Sequence, residues 1–125
     1  MTLLRRKPTD AELEILSALW ARGPSTVREV VDALGREAGY TTVLKLLQIM
    51  TEKGLVVRDE SARTYVYEAA CPQAQTQRHL VSDLAKRAFG GSAAKLVLQA
   101  LETGSASPRE LDEIRRLLDK HRGSR

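Results

Sequence analysis

The run YTTVLKLLQIMTEKGLVVRDESARTYVY, residues 40–67, changes its period part-way along. Val43, Leu46, Leu47 and Met50 recur at the i, i+3, i+4, i+7 spacing of one buried helix face. This pattern predicts a helix capped by Thr41, running to Lys53 and ended by Gly54. From Leu55 the spacing shortens. Leu55-Val56-Val57-Arg58 and Thr64-Tyr65-Val66-Tyr67 are strand-like, and Asp59-Glu60-Ser61-Ala62 between them is turn-like. A single hairpin this short needs a helical layer to lean on.

The segment before it supplies that layer. Thr9 and Glu12 have capping-box spacing, with Pro8 just outside. Leu13, Leu16 and Trp20 then recur as a stripe flanked by Ile15 and Leu19, and Gly23-Pro24 stops the helix. Thr26 and Glu29 repeat the capping-box spacing; Val27, Val30, Val31 and Leu34 form a second buried face, and Gly35 ends it. Helix, helix, turn, helix, hairpin is the order of a winged helix-turn-helix over residues 8–70. In that arrangement the third helix can enter the major groove while the hairpin reaches flanking phosphates.

Beyond Pro72 every signal is helical. Leu80, Val81, Leu84, Ala88 and Phe89 form a stripe stopped by Gly90-Gly91. Leu96, Val97, Leu98 and Leu101 form another, ended near Gly104. Ser107-Pro108-Arg109-Glu110 is a helix start, followed by Leu111, Ile114, Leu117 and Leu118. Three short amphipathic helices in about 50 residues bury little alone, so residues 72–121 read as a helical dimerisation region. Leu80, Leu84, Phe89, Val97, Leu101, Ile114 and Leu118 are its expected interface residues. The fold class is therefore mainly α with one small β-hairpin.

Composition narrows the function. The chain has 125 residues, 42% apolar and 29% charged, which excludes collagen-like and largely disordered classes. No apolar run approaches the ~20 residues of a membrane helix, so no membrane insertion is expected. Met1 to Lys7 is basic, but no apolar signal core follows it. The single cysteine, Cys71, cannot form an internal disulfide. Together these suit a cytoplasmic protein. Five aromatics imply an aliphatic core. The net charge of +4 is unevenly placed: residues 1–70 hold ten Lys/Arg against ten Asp/Glu, and residues 71–125 hold ten against six. A DNA-binding first half must therefore work through local patches and not a global field.

On the predicted third helix, Thr41, Leu44, Lys45 and Gln48 cluster opposite Val43, Leu47 and Met50. Thr41 and Thr42 can offer hydroxyls to phosphates or base edges, Lys45 can reach a guanine or a phosphate, and Gln48 can pair with adenine. Thr41 as a simple cap and Lys45 as a solvated charge are the competing readings. Arg58 and Arg63 bracket the hairpin turn, as a phosphate clamp or as ordinary surface charge; from the residues alone the second is favoured. Asp59 and Glu60 at the tip repel phosphates. Arg5, Arg6 and Lys7 form a basic arm that adds salt-dependent affinity or merely solubility.

At these residues the chain resembles the BlaI/MecI/CopY repressors of penicillinase and metal-resistance genes. Glu12 to Trp20 is similar to the family's first helix, and Thr26-Val27-Arg28-Glu29-Val30 to its second. Tyr40-Thr41-Thr42-Val43 through Lys53-Gly54-Leu55-Val56 resembles its recognition helix and wing entry, and Arg63-Thr64-Tyr65-Val66-Tyr67 its second wing strand. Phe89-Gly90-Gly91-Ser92 and Leu96-Val97 resemble its dimerisation region. The likeness runs over residues 8 to 120.

The resemblance implies a homodimeric repressor on a dyad-symmetric double-stranded DNA operator. It also implies a membrane metalloprotease signalling partner and a regulated cut in the segment Leu98-Gln99-Ala100-Leu101, with Gln99 and Ala100 as the candidate cleavage site. The chain departs from the family pattern in places. Members commonly carry threonine at the position of Lys45 and arginine at that of Ile49, and penicillinase repressors often a basic residue at that of Leu44. A leucine cannot donate to guanine but can pack on a thymine methyl. The asparagine and phenylalanine that flank the family's cut are both changed here.

No catalytic, cofactor or metal motif is present: no glycine-rich phosphate loop, no paired-histidine motif, no nucleophile elbow. Cys71, His79 and His121 are scattered, and the cysteine pair of copper-responsive members is missing. Nothing favours a metal shared across a dimer by His79 or His121. The chain is expected not to be an enzyme. Two other classes stay open: a ligand-sensing winged-helix regulator of another family, and a winged-helix protein-interaction module without DNA binding.

Overall fold

The computed structural model describes residues 7–35 and 38–123. The basic arm residues Arg5 and Arg6 lie outside them. Eight elements follow in order: α1 (Asp10–Arg22), α2 (Val27–Leu34), α3 (Tyr40–Lys53), β1 (Val56–Asp59), β2 (Val66–Ala69), α4 (Gln73–Ala88), α5 (Ala93–Glu102) and α6 (Pro108–Gly123). The chain divides into two compact units, Met1–Asp83 and Leu84–Arg125. The division falls inside α4, and two bonds tie the segment before it into the first unit. Trp20 Nε1 donates to the Cys71 carbonyl at 3.0 Å, and Lys7 pairs with Asp83 at 3.1 Å.

In the first unit the capping signals act as their spacing predicts. Thr9 Oγ1 accepts from the Glu12 amide at 3.2 Å while Glu12 Oε1 accepts from the Thr9 amide at 2.9 Å. Thr26 and Glu29 repeat both bonds at the head of α2. Each box supplies partners for donors that a helix start leaves open. Helix α3 starts differently. Its N-cap is Gly39, with no side-chain capping bond, and Thr41 lies inside the first turn. The expected Thr41 cap is therefore corrected: the cap lies two residues earlier, and Thr41 is exposed to solvent.

The end of α3 sets up the hairpin. Gly54 is left-handed, with φ +83°. Its amide donates to Thr51 O at 3.1 Å and the Leu55 amide to Met50 O at 2.9 Å, the paired bonds of a Schellman ending. Because the Leu55 amide is spent on the helix, the ladder starts at Val56. Val56 faces Ala69, Val57 faces Glu68, Arg58 faces Tyr67 and Asp59 faces Val66. Both strands thus lie later than their sequence patterns suggest. Tyr67 also exchanges two backbone bonds with Ser25, at 2.8 and 2.9 Å. It is held between β1 and the α1–α2 turn, which carries the second strand on to Ala69.

The core of this unit joins Ile15, Leu16 and Leu19, Val27, Val30 and Val31, and Val43, Leu47 and Met50 to Leu55, Val56 and Tyr67. It is aliphatic except for Tyr67. Leu13 and Trp20 are only partly buried, so the stripe of α1 centres on Ile15, Leu16 and Leu19. Burying each such side chain contributes roughly 1.5–3 kcal/mol. The three helices and the two-stranded antiparallel sheet form a winged helix-turn-helix.

The second unit is built differently. Helix α6 has the predicted start: Ser107 Oγ accepts from the Glu110 amide at 3.1 Å and Glu110 Oε1 from the Ser107 amide at 2.9 Å. Helix α4 ends as Gly91 donates to Ala85 O at 2.9 Å, with Gly90 and Gly91 both at positive φ. Yet among the described residues Ala85 is the only buried hydrophobic of this unit. One alanine is far too little apolar burial to offset the ordering of three helical segments.

Candidate nucleic-acid interface

Helix α3 has two faces. Val43, Leu47 and Met50 are at most 2% exposed, so the opposite side is fixed toward solvent. Thr41, Thr42, Lys45, Gln48, Ile49 and Glu52 are all exposed there. Leu44 does not belong with them. It is half-buried and packs against the core, since it sits at the edge of the buried arc. This corrects the expected grouping of Leu44 with Thr41, Lys45 and Gln48. Ile49 and Glu52 take its place on the outer face; their spacing from Lys45 and Gln48 was the available signal.

The pose of α3 is held at its C-terminal end. Lys53 Nζ donates to Glu12 Oε1 at 2.8 Å, and Glu12 is buried at the start of α1. Burial pushes the Glu12 carboxyl up, but the bonds from Lys53 and the Thr9 amide outweigh it and hold the group below its ordinary value. At the other end, the Arg28 guanidinium of α2 lies over the Tyr40 ring, 5.2 Å from its centroid.

The hairpin presents its cations unequally. Arg58 Nε donates to Glu60 Oε2 at 2.8 Å, its Nη2 lies 2.6 Å from the same oxygen, and its guanidinium stacks 4.7 Å from the centre of the Tyr65 ring. Arg58 is thus engaged within the hairpin. Arg63 is exposed in the β1–β2 loop. At the same tip the Ser61 amide holds the Asp59 carboxyl below its ordinary value. Arg58 and Arg63 are therefore not an equivalent pair.

The expected interface residues of the helical region are all at least partly accessible. Leu84, Val97 and Leu118 are exposed, and Leu80, Phe89, Leu101 and Ile114 are half-buried; Leu80 belongs to the first unit. Leu98, Leu111 and Leu117 share the sequence stripes but were not expected at the interface, although they are 61%, 45% and 54% exposed. A cleft of about 470 Å³ between α5 and α6 is lined mainly by Ala100, Leu101, Ala106, Ile114 and Leu117, with Glu110 and Glu113 among its polar residues. Gln99 and Ala100 are exposed within the helical turns of α5.

The sequence profile described as penicillinase repressor matches residues 8–120 of this chain. The chain belongs to the penicillinase repressor family. It is 33% identical over 113 residues to the transcriptional regulator BlaI of Mycobacterium tuberculosis, covering 87% of this chain and 80% of the relative. It is 23% identical over 116 residues to the penicillinase repressor of Bacillus licheniformis, covering 91% of each. Among solved structures, a MarR family transcriptional regulator from Silicibacter pomeroyi superposes with a TM-score of 0.50 at 17% identity, over 98% of this chain and 74% of the other. That likeness concerns the fold.

Members of the penicillinase repressor family are transcriptional repressors, not enzymes. The remaining polar groups that sequence singled out are scattered in the structure. The Cys71 carbonyl holds Trp20, and the Cys71 side chain belongs to a half-buried residue. His79 Nδ1 is shielded from water without a hydrogen-bond partner among the described residues. No group of three or more His, Cys, Asp or Glu among the described residues is placed to hold a metal ion. No described helix is long and apolar enough to cross a membrane.

Proposed function

We propose that this member of the penicillinase repressor family is a cytoplasmic, homodimeric repressor that binds a dyad-symmetric operator. The observation that carries the reading is the outer face of α3, where Thr41, Thr42, Lys45 and Gln48 stand exposed opposite a fully buried apolar face. Lys45 and Gln48 supply donors for guanine and adenine edges, and the two threonines supply hydroxyls for phosphates. Arg63 meets flanking phosphate from the wing, and Arg58 joins it when Glu60 releases it. Leu44 supports the helix from behind and leaves methyl reading to Ile49, which is exposed on the same face.

Residues 8–70 form the DNA-binding domain in this reading, and residues 72–121 the dimerisation domain. The support for the dimer is energetic. Val97, Leu98, Leu111, Leu117 and Leu118 are each more than 40% exposed in a unit whose one buried hydrophobic among the described residues is Ala85, and a second copy covers such surface with like surface. Leu84, Phe89, Leu101 and Ile114 add to that apolar surface, and Leu80 contributes from the earlier part of α4. Two chains related by a dyad present two α3 helices to successive half-sites.

Relief of repression by a membrane metalloprotease system, through a cut at Gln99–Ala100, belongs to the same proposal. Solvent access to both residues supports it. Because the bond lies within α5, the helix must open locally before it can enter an extended protease cleft. A chain that stays intact when co-produced with its cognate protease, with operator binding unchanged, excludes this route.

Selection of bound duplexes from a random pool at two salt concentrations tests the core reading. A dyad-symmetric consensus with steep salt dependence is expected, and Lys45→Ala is expected to weaken binding to that consensus at least about tenfold. No consensus at either salt redirects the function to protein interaction. Sedimentation at micromolar concentration tests the dimer, and a monomer there rejects it.

A further inference from the structure

We propose that Arg28, held by Tyr40, is a phosphate-contacting residue that fixes how the recognition helix seats on DNA. The inference rests on the DNA-binding reading above and adds a residue outside α3 and the wing.

Arg28 lies in the first turn of α2, and Tyr40 is the first residue of α3. The guanidinium carbon sits 5.2 Å from the Tyr40 ring centroid. This stack joins the N-terminal turns of the two helices that make up the helix-turn-helix. Arg28 and Tyr40 are both exposed, so the stack stands at the surface, and Tyr40 directly precedes Thr41 and Thr42.

Two other arginines of this part of the chain face carboxylates. Arg58 is paired with Glu60, and Arg22 Nη2 lies 4.0 Å from Glu29. Among the described residues, Arg28 has no carboxylate partner; its contact is the ring face. An aromatic face attracts a guanidinium through its π cloud and leaves the N–H groups at the edge of the plane free to donate. The stack also removes much of the rotamer freedom of a long side chain before any ligand arrives. A charged planar fork, already ordered on a ring face, is suited to the two oxygens of a backbone phosphate. The leading helix of a helix-turn-helix crosses that backbone while the second lies in the groove. A phosphate held by Arg28 therefore sets the register from which Lys45 and Gln48 meet base edges.

The test compares wild type, Arg28→Ala, Arg28→Lys, Tyr40→Ala and Tyr40→Phe on two duplexes: one selected by the wild-type chain from a random pool, and one of random sequence. Affinities are measured by fluorescence anisotropy over a salt series, and melting temperatures confirm the fold. Arg28→Ala is expected to weaken both duplexes by a similar factor, about tenfold, and to reduce the slope of log affinity against log salt by about 0.9 per protomer engaged. Arg28→Lys keeps the slope but loses affinity, because the ammonium cannot span two oxygens from a stacked position. Tyr40→Phe, which retains the ring, loses less affinity than Tyr40→Ala. If Arg28→Ala matches wild type in affinity and slope on a duplex the wild type binds, the proposal is overturned and the DNA-binding reading stands. If the wild type binds neither duplex, both fall together.

Discussion

Lys53 Nζ stands 2.8 Å from Glu12 Oε1, joining the last turn of α3 to the first turn of α1 across 41 residues of sequence. Glu12 is only 2% exposed, yet it also closes the capping box of its own helix. One carboxylate thus serves two structures: it satisfies an open donor at the head of α1 and anchors α3 in its pose.

Removing the cation leaves that carboxylate buried with half its partners. Lys53→Met keeps the aliphatic stem and deletes the charge, and it is expected to cost about 2 kcal/mol. The figure is below that of a fully enclosed pair because the Lys53 side chain is 27% exposed. Urea unfolding measures it. A loss under roughly 0.5 kcal/mol would class the pair with ordinary surface bridges.

The same carboxylate makes stability depend on pH. Desolvation works against its ionisation, but the bonds from Lys53 and Thr9 prevail, so its folded pKa lies below the unfolded one. The unfolded chain then binds the proton more readily. The contribution is fully present above the ordinary carboxylate value, roughly pH 4.3, and is lost as pH falls through the lower folded value. Glu12→Gln is expected to flatten that acid limb in urea midpoints taken between about pH 6 and pH 3. An unchanged limb would assign the acid sensitivity to other groups.

Gly54 sets the direction in which the wing leaves α3. At φ +83° it has open space on its side-chain side, with no heavy atom within 4 Å of where a Cβ would stand, so the penalty of Gly54→Ala is backbone strain alone. That penalty is about 1–2 kcal/mol, visible as a lower urea midpoint with an unchanged m-value. A neutral substitution would mean the Schellman ending adapts at no cost.

Glu60 occupies the Arg58 guanidinium. Its oxygen receives both the Nε bond at 2.8 Å and the Nη2 contact. Glu60→Gln is expected to tighten binding to random-sequence DNA a few-fold and to steepen its salt dependence. Unchanged affinity and slope would show that the hairpin tip stays clear of the backbone.

What the amino-acid sequence determined by itself follows from local rules. The boxes at Thr9/Glu12, Thr26/Glu29 and Ser107/Glu110 are formed by residues three apart, so spacing alone specifies them. The buried faces of α2 and α3 follow from period and apolar type, and the stops at Gly23, Gly35 and Gly54 from glycine's access to positive φ. Together they determine a winged helix-turn-helix. The tertiary structure decided whatever depends on groups far apart in the chain or on how a helix end is closed. Strand register was set by the Leu55 amide bonding back to Met50 and by Tyr67 bridging to Ser25. Leu44 was drawn to the core from a position that spacing alone had put on the outer face. Arg28 meets the Tyr40 ring at the head of the following helix, a contact that only the packing of α2 against α3 sets up. Periodicity reports which way a side chain points along its own helix; which partner waits there is settled only when distant segments pack.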